Sequence, residues 1–143
     1  MSIALRSALL TASLLMFSSC AGAPEPSGHQ ALVESVAAKN SDIVRLTLHL
    51  VPSGESDYKA VASTLASKIG KPSDPEDLEA IRTGKTVVLD EPGGIDVTIP
   101  IQMVNGKHTV AAGVTLKKSV GRVAAINAAN AIAAELENAL ANR

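Results

Sequence analysis

Apolar and polar residues alternate along two neighbouring stretches, 95–103 and 108–117, with the period of a β-strand that has one buried face. The apolar rows are Ile95, Val97, Ile99, Ile101 and Met103 in the first stretch and Val110, Ala112, Val114 and Leu116 in the second. Asn105 and Gly106 lie between them and favour a two-residue hairpin turn, because both positions of that turn need positive φ. We therefore predict a hairpin at the centre of an antiparallel sheet. Pro100 lacks a backbone donor, which predicts an edge or a bulge in the first strand.

Three further segments predict strands. Segment 43–51 alternates most clearly, with Leu46 and Leu48 in an apolar row that Val44 and Leu50 extend. Segment 58–65 alternates more weakly, and segment 86–91 is short and leads into the hairpin through a Pro-Gly-Gly turn. With the hairpin, these segments give a sheet of about five strands.

Three helices are predicted around this sheet. Ser27 and Gln30 fit a capping box at the start of an N-terminal helix. A short central helix begins at the Ser73–Glu76 cap, places Leu78 and Ile81 on its inner face and ends at Gly84. The long C-terminal helix, 123–141, has one apolar face of small and branched residues: Ala125, Ala129, Ile132, Ala133, Leu136 and Leu140. The fold class is therefore α+β, with N-terminal, short central and long C-terminal helices flanking the sheet.

The composition narrows the classes of partner. Apolar residues make up 46% of the chain, but there is one Tyr, one Phe and no Trp, so base stacking or an aromatic cage is not expected. The formal net charge is -1 and the basic residues are scattered, which does not resemble a nucleic-acid-binding surface.

The N-terminus predicts export. Residues 1–19 combine Arg6, a short apolar run and two small residues, which is typical of a signal peptide. Phe17, Ser18, Ser19 and Cys20 resemble the lipobox of bacterial lipoproteins, and the resemblance implies that Cys20 is acylated and becomes the first mature residue. We therefore expect residues 20–28 to be a lipid anchor with a flexible tether, and 29–143 to be one domain. The alternative is an ordinary secreted protein with an incidental thiol.

One face of the first strand carries three hydrogen-bonding side chains. Arg45, Thr47 and His49 recur at every second residue and so project from the same side. One interpretation is a solvated outer face. The other is the floor of a binding site for a small polar or anionic ligand, with Arg45 as the fixed charge and His49 as a titratable contact.

The sequence does not favour catalysis, a cofactor or a metal site. It contains no phosphate-binding loop, no nucleophile elbow and no zinc-protease motif. The acidic residues Asp74, Glu76, Asp77 and Glu79 are explained by helix capping and lack the spacing of a calcium loop. We expect a protein that is not an enzyme.

The hairpin segment resembles extracytoplasmic PAS-like sensor domains of the Cache type. The residues concerned are Val97-Thr98-Ile99-Pro100-Ile101, followed by Asn105-Gly106-Lys107 and Gly113-Val114. The resemblance implies a sensor-like domain that binds a small ligand or a partner protein. Together with the lipobox and the polar row of the first strand, we expect a lipid-anchored protein of the cell envelope, with organic anions among its candidate ligands. The alternative is a structural or chaperone-like lipoprotein that docks onto an envelope protein without a small ligand.

Overall fold

The computed structural model describes residues 27–102 and 104–143. The signal segment, Cys20, the tether up to residue 26 and Met103 lie outside the described residues. The helices are α1 (Gly28–Ala37), α2 (Pro75–Thr83) and α3 (Arg122–Ala141). The strands are β1 (Ile43–Leu50), β2 (Lys59–Ser63), β3 (Val87–Glu91), β4 (Gly94–Gln102) and β5 (His108–Leu116). The α+β class and the five-stranded sheet are therefore confirmed.

The five strands form one antiparallel sheet in the order β2-β1-β5-β4-β3. The β4–β5 hairpin occupies its centre, as the alternating pattern predicts. Asn105 and Gly106 do have positive φ, 69° and 68°. The two-residue turn is wrong, however, because the strand pairing ends with Gln102 opposite His108, and Val104–Gly106 form a 3-10 turn.

Pro100 lies in the part of β4 that is paired with a neighbouring strand on one side only. The strand β3 pairs with β4 only as far as Thr98, whereas β5 continues alongside to Gln102. The β4–β5 register also shifts between Ile101 and Gln102. The missing donor is thus accommodated next to an open edge and a bulge, as expected.

The helices α1 and α3 cover one face of the sheet and build the apolar core. Val33 and Val36 of α1 and Leu136 of α3 are at most 2% exposed and pack against the apolar rows of the central strands. The alanines of α3 allow close approach, and five of the six predicted inner positions are buried: Ala125, Ala129, Ile132, Ala133 and Leu136. Val44 departs from the predicted apolar row of β1, being 50% exposed near an irregularity in the β1–β5 pairing.

The helix α2 lies over the opposite face. It begins after Asp74 and ends at Gly84, whose φ is 67°, as the sequence predicts. Its inner face agrees with the prediction at Ile81 but not at Leu78: Asp77, Ala80 and Ile81 are buried, while Leu78 is 43% exposed. The helix is therefore turned so that a carboxylate faces the sheet.

Two smaller points complete the fold. Gln30 does not close a capping box; its side-chain amide instead bonds both the carbonyl and the N–H of Ser63, at 2.9 and 3.0 Å, tying α1 to β2. Ser27 does accept from the Gln30 N–H. Of the helices within the described residues, none is both long and apolar enough to traverse a lipid bilayer.

Candidate functional site

The polar row of β1 lies beneath α2. Thr47 and His49 are 3% and 5% exposed, and the Arg45 side chain is 23% exposed. The interpretation of this row as a solvated outer face is therefore wrong. Thr47 and His49 are buried and Arg45 is partly buried, so each needs hydrogen-bond partners, because an unpaired buried polar group is costly.

A cavity of about 20 Å³ separates this row from the covering segments. That is space for roughly one water molecule. The cavity brings together all three predicted residues and six that the prediction did not include. Its lining consists of Arg45, Thr47, His49, Lys68, Asp74, Glu76, Asp77, Asp96 and Gly113.

His49 and Asp77 join the sheet to α2 inside this site. His49 Nδ1 lies 3.3 Å from Asp77 Oδ2 and 3.0 Å from Ser73 Oγ. Burial lowers the pKa of His49 to about 4. Burial raises the pKa of Asp77 to about 7, and the nearby carboxylate of Glu76 adds to the rise. Between those pH values the pair carries its proton on Asp77, and His49 is neutral.

Asp77 also stabilises the start of its own helix. Its Oδ2 accepts a hydrogen bond of 2.9 Å from the Asp74 N–H. This is the role that the sequence suggests for an acid in the first turn. The same oxygen therefore caps α2 and contacts the sheet, so the beginning of the helix and the site share one side chain.

Arg45 is held by two carboxylates. Its Nη2 lies 3.3 Å from Asp96 Oδ1 on β4 and 3.4 Å from Glu91 Oε2 on β3. Asp96 is 4% exposed and also accepts from the Thr115 hydroxyl at 2.6 Å. The predicted fixed charge for an anion is thus already balanced, and an incoming carboxylate would compete with Asp96 and Glu91.

Carboxylate oxygens of Glu76, Glu91 and Asp96 all lie within 4.8 Å of one another, a spacing that also suits a metal ion. The Arg45 guanidinium, however, contacts two of these three groups. It supplies one positive charge to Glu91 and Asp96, so we assign these two carboxylates to Arg45, with which Glu76 forms no ion pair.

Gly113 forms the floor of the cavity on the central strand β5. A Cβ atom at this position would lie 3.7 Å from His49 Nε2 and 3.8 Å from Asp77 Oδ1, which is ordinary van der Waals contact. The absence of a side chain here leaves the space that the two polar atoms border.

The sequence contains signals for some of the residues that the prediction missed. Asp96 alternates with the apolar row of β4 and so belongs to the polar face of the hairpin. Asp74 and Asp77 lie at the start of α2, where helix capping already explains an acidic residue. The sequence therefore gives no reason to expect that they also line the cavity. Lys68 has no such signal: its Nζ lies 2.9 Å from Asp74 Oδ2, and it belongs to a short 3-10 turn, Ala66–Lys68, whose position depends on the folded chain.

Comparisons with known proteins identify the fold. No protein-family model matches the chain, and no curated protein matches it. Among solved structures, the GAF domain of Acinetobacter phosphoenolpyruvate-protein phosphotransferase is similar over 78% of this chain and 78% of its own, with 17% identity and a TM-score of 0.54. The chain thus shares its architecture with a GAF domain.

Two further solved structures have the same overall architecture. The type II free methionine-R-sulfoxide reductase from Thermoplasma acidophilum is similar over 76% of this chain and 86% of its own, with 15% identity and a TM-score of 0.52. The E. coli DcuS sensor domain is similar over 75% of this chain and 76% of its own, with 22% identity and a TM-score of 0.50. The PAS/Cache-like fold expected from the hairpin segment is confirmed.

Proposed function

We propose that this chain is a lipid-anchored envelope protein whose PAS-like domain binds a small polar ligand in the cavity between α2 and the sheet. The observation that carries the proposal is the burial of Thr47 and His49, with the partly buried Arg45, around a cavity rather than within a close-packed core. Apolar residues would stabilise the same interface without desolvating charges. A polar cavity beneath a short helix is therefore best explained by a ligand.

The fold supports a sensor-like role. One of the structures that share it is described as a sensor domain. In such an arrangement a ligand in the cavity would contact both the central strand, through Gly113, and the helix α2, through Asp77. Binding would then change how firmly α2 is held on the sheet, which is the kind of difference that a partner protein can detect.

The envelope location rests on the N-terminal sequence. Residues 1–19 have the features of a signal peptide, and Cys20 follows two small residues directly. An acylated Cys20 would hold the domain at a membrane surface through a short tether containing Pro24 and Pro26.

A ligand screen on the purified full-length protein tests the proposal. Small organic acids, amines, polyols and divalent cations are added separately and thermal stability is measured, since a ligand that binds only the folded state raises Tm. Gly113→Ala adds a methyl group inside the cavity and should abolish the response. Gly93→Ala is the matched control, because a Cβ there has no atom within 4 Å. If no probe stabilises the protein, or if Gly113→Ala responds fully, the cavity is not a ligand site.

A further inference from the structure

The charges around the cavity are unequal once the existing ion pairs are taken into account. Lys68 is paired with Asp74, and Arg45 is paired with both Asp96 and Glu91. Within residues 27–102 and 104–143, Glu76 has no ion-pair partner. The site therefore retains excess negative charge, and a positively charged group placed in it would be stabilised.

Two polar side-chain atoms border the floor of the cavity beside Gly113. His49 uses Nδ1 toward Ser73 and Asp77, which leaves Nε2 at the floor beside Gly113. Asp77 uses Oδ2 toward His49 and the Asp74 N–H, which leaves Oδ1 at the same place. Above about pH 7, where Asp77 is ionised, and with the hydrogen of His49 on Nδ1, both remaining atoms accept hydrogen bonds. A ligand group with hydrogen-bond donors would satisfy both atoms.

From these two observations we infer that the cavity accepts the ammonium group of a small primary amine, held between His49 Nε2 and Asp77 Oδ1 above Gly113 with Glu76 as its counter-charge. This inference rests on the proposed function, because it names the ligand class of the same cavity. An ammonium group has three donors and no acceptor, which suits an acceptor-rich space the size of roughly one water molecule. The rest of the ligand would point toward the opening of the cavity.

The raised pKa of Asp77 agrees with an occupant that carries positive charge. Burial and neighbouring carboxylates raise this pKa to about 7, because among the described residues nothing beside the carboxyl compensates the charge of its ionised form. An ammonium group beside Oδ1 would supply that counter-charge. An organic anion, by contrast, would meet Glu76 and Asp77 and would have to displace existing partners of Arg45 or Lys68.

Titration of the full-length protein with simple salts distinguishes the ligand classes. The probes are methylammonium chloride and ethanolamine, tetramethylammonium chloride as a cation without N–H donors, sodium acetate and succinate as anions, and calcium chloride as a metal ion. Binding is followed by Tm and by the NMR shift of the Gly113 amide. We expect the two primary amines to shift both, and tetramethylammonium to shift neither.

Two variants identify the contacts. Glu76→Gln keeps the shape of the side chain but removes its charge, and should weaken amine binding by about tenfold, as expected for loss of a charge-assisted contact. Glu79→Gln is the matched control, an exposed acid on the same helix that does not line the cavity. Equal effects of these two variants would contradict the role of Glu76.

The outcomes separate this inference from the function on which it rests. Binding of the acids or of calcium instead of the amines overturns the amine assignment but leaves a ligand-binding cavity. Equal binding of tetramethylammonium also overturns it, because the hydrogen bonds would then contribute nothing. Absence of any response, in the wild type and in all variants, overturns both proposals.

Discussion

Removing either partner of the His49–Asp77 pair should make the stability of the protein depend on pH, with opposite signs for the two partners. The pKa of His49 is lowered from 6.5 to about 4, so the unfolded state binds more protons between those values. The pKa of Asp77 is raised from 3.8 to about 7, so here the folded state binds more. In the wild type the proton is transferred from one group to the other on folding, and the two effects largely cancel between about pH 4 and 6.5.

Asp77→Asn leaves His49 alone. Its contribution to stability is complete above pH 6.5 and is lost as the pH falls toward 4, at up to about 1.4 kcal/mol per pH unit. The total loss over this window is at most about 3 kcal/mol for the shift that the buried imidazole shows. Asparagine retains an oxygen that accepts from the Asp74 N–H, so the helix cap is preserved.

His49→Gln leaves Asp77 alone and reverses the sign. The contribution of a carboxyl with a raised pKa is complete below 3.8 and is lost as the pH rises through 7. The loss between those values is at most about 4 kcal/mol. Around pH 5 the two variants should therefore have stability profiles that slope in opposite directions.

Urea denaturation of the full-length protein and both variants between pH 4.5 and 7.5 measures these slopes. Differences from the wild type at each pH remove the contribution of all other titrating groups. Glu79→Gln, an exposed change on the same helix, serves as the control for charge alone. Parallel profiles for Asp77→Asn and His49→Gln would refute the reasoning, because they would show that the two groups do not exchange a proton on folding.

Three other predictions concern the anchor and the fold. Cys20→Ala should abolish acylation and release the protein from membranes, and unchanged fractionation and processing would contradict the anchor. Gly106→Val should lower the free energy of unfolding by about 1 kcal/mol or more because a β-branched residue resists positive φ, whereas the neighbouring Lys107→Val should have little effect in the same melting experiment. Leu136→Ala, at a fully buried position, should lower the free energy of unfolding by about 2–5 kcal/mol, measured by urea denaturation. Val123→Ala is the control, because Val123 is 73% exposed, and an equal loss in both variants would place Leu136 outside the core.

The sequence predicts the elements better than their relative placement. Alternation and capping are local, so the hairpin, the start of α2 at Asp74 and its end at Gly84 follow from a few adjacent residues. The rotation of α2 about its axis is not local. Ile81 lies on the inner face as predicted, but Leu78 does not, because the helix buries Asp77 against His49.

The site was predicted in part for the same reason. Arg45, Thr47 and His49 share a face because of strand geometry alone, and the sequence shows this directly. The burial of these side chains depends on the placement of α2 over the sheet. It also depends on the pairing of β1 with β5, in which Thr47 lies opposite Gly113 of the neighbouring strand. The carboxylates that neutralise Arg45 come from β3 and β4, distant in the chain, so the apparent anion-binding charge could not be recognised as already paired.

The position of Pro100 affects the tendency of the protein to self-associate at high concentration. Beyond Thr98, β4 presents a strand edge that β3 does not cover, and an uncovered edge is a template on which another chain can add a strand. A proline in that stretch lacks the donor that an added strand would require, so edge-to-edge polymerisation is discouraged. Replacing Pro100 by threonine would restore a complete edge, and the first sign of the change would be fibrous or insoluble material at high concentration.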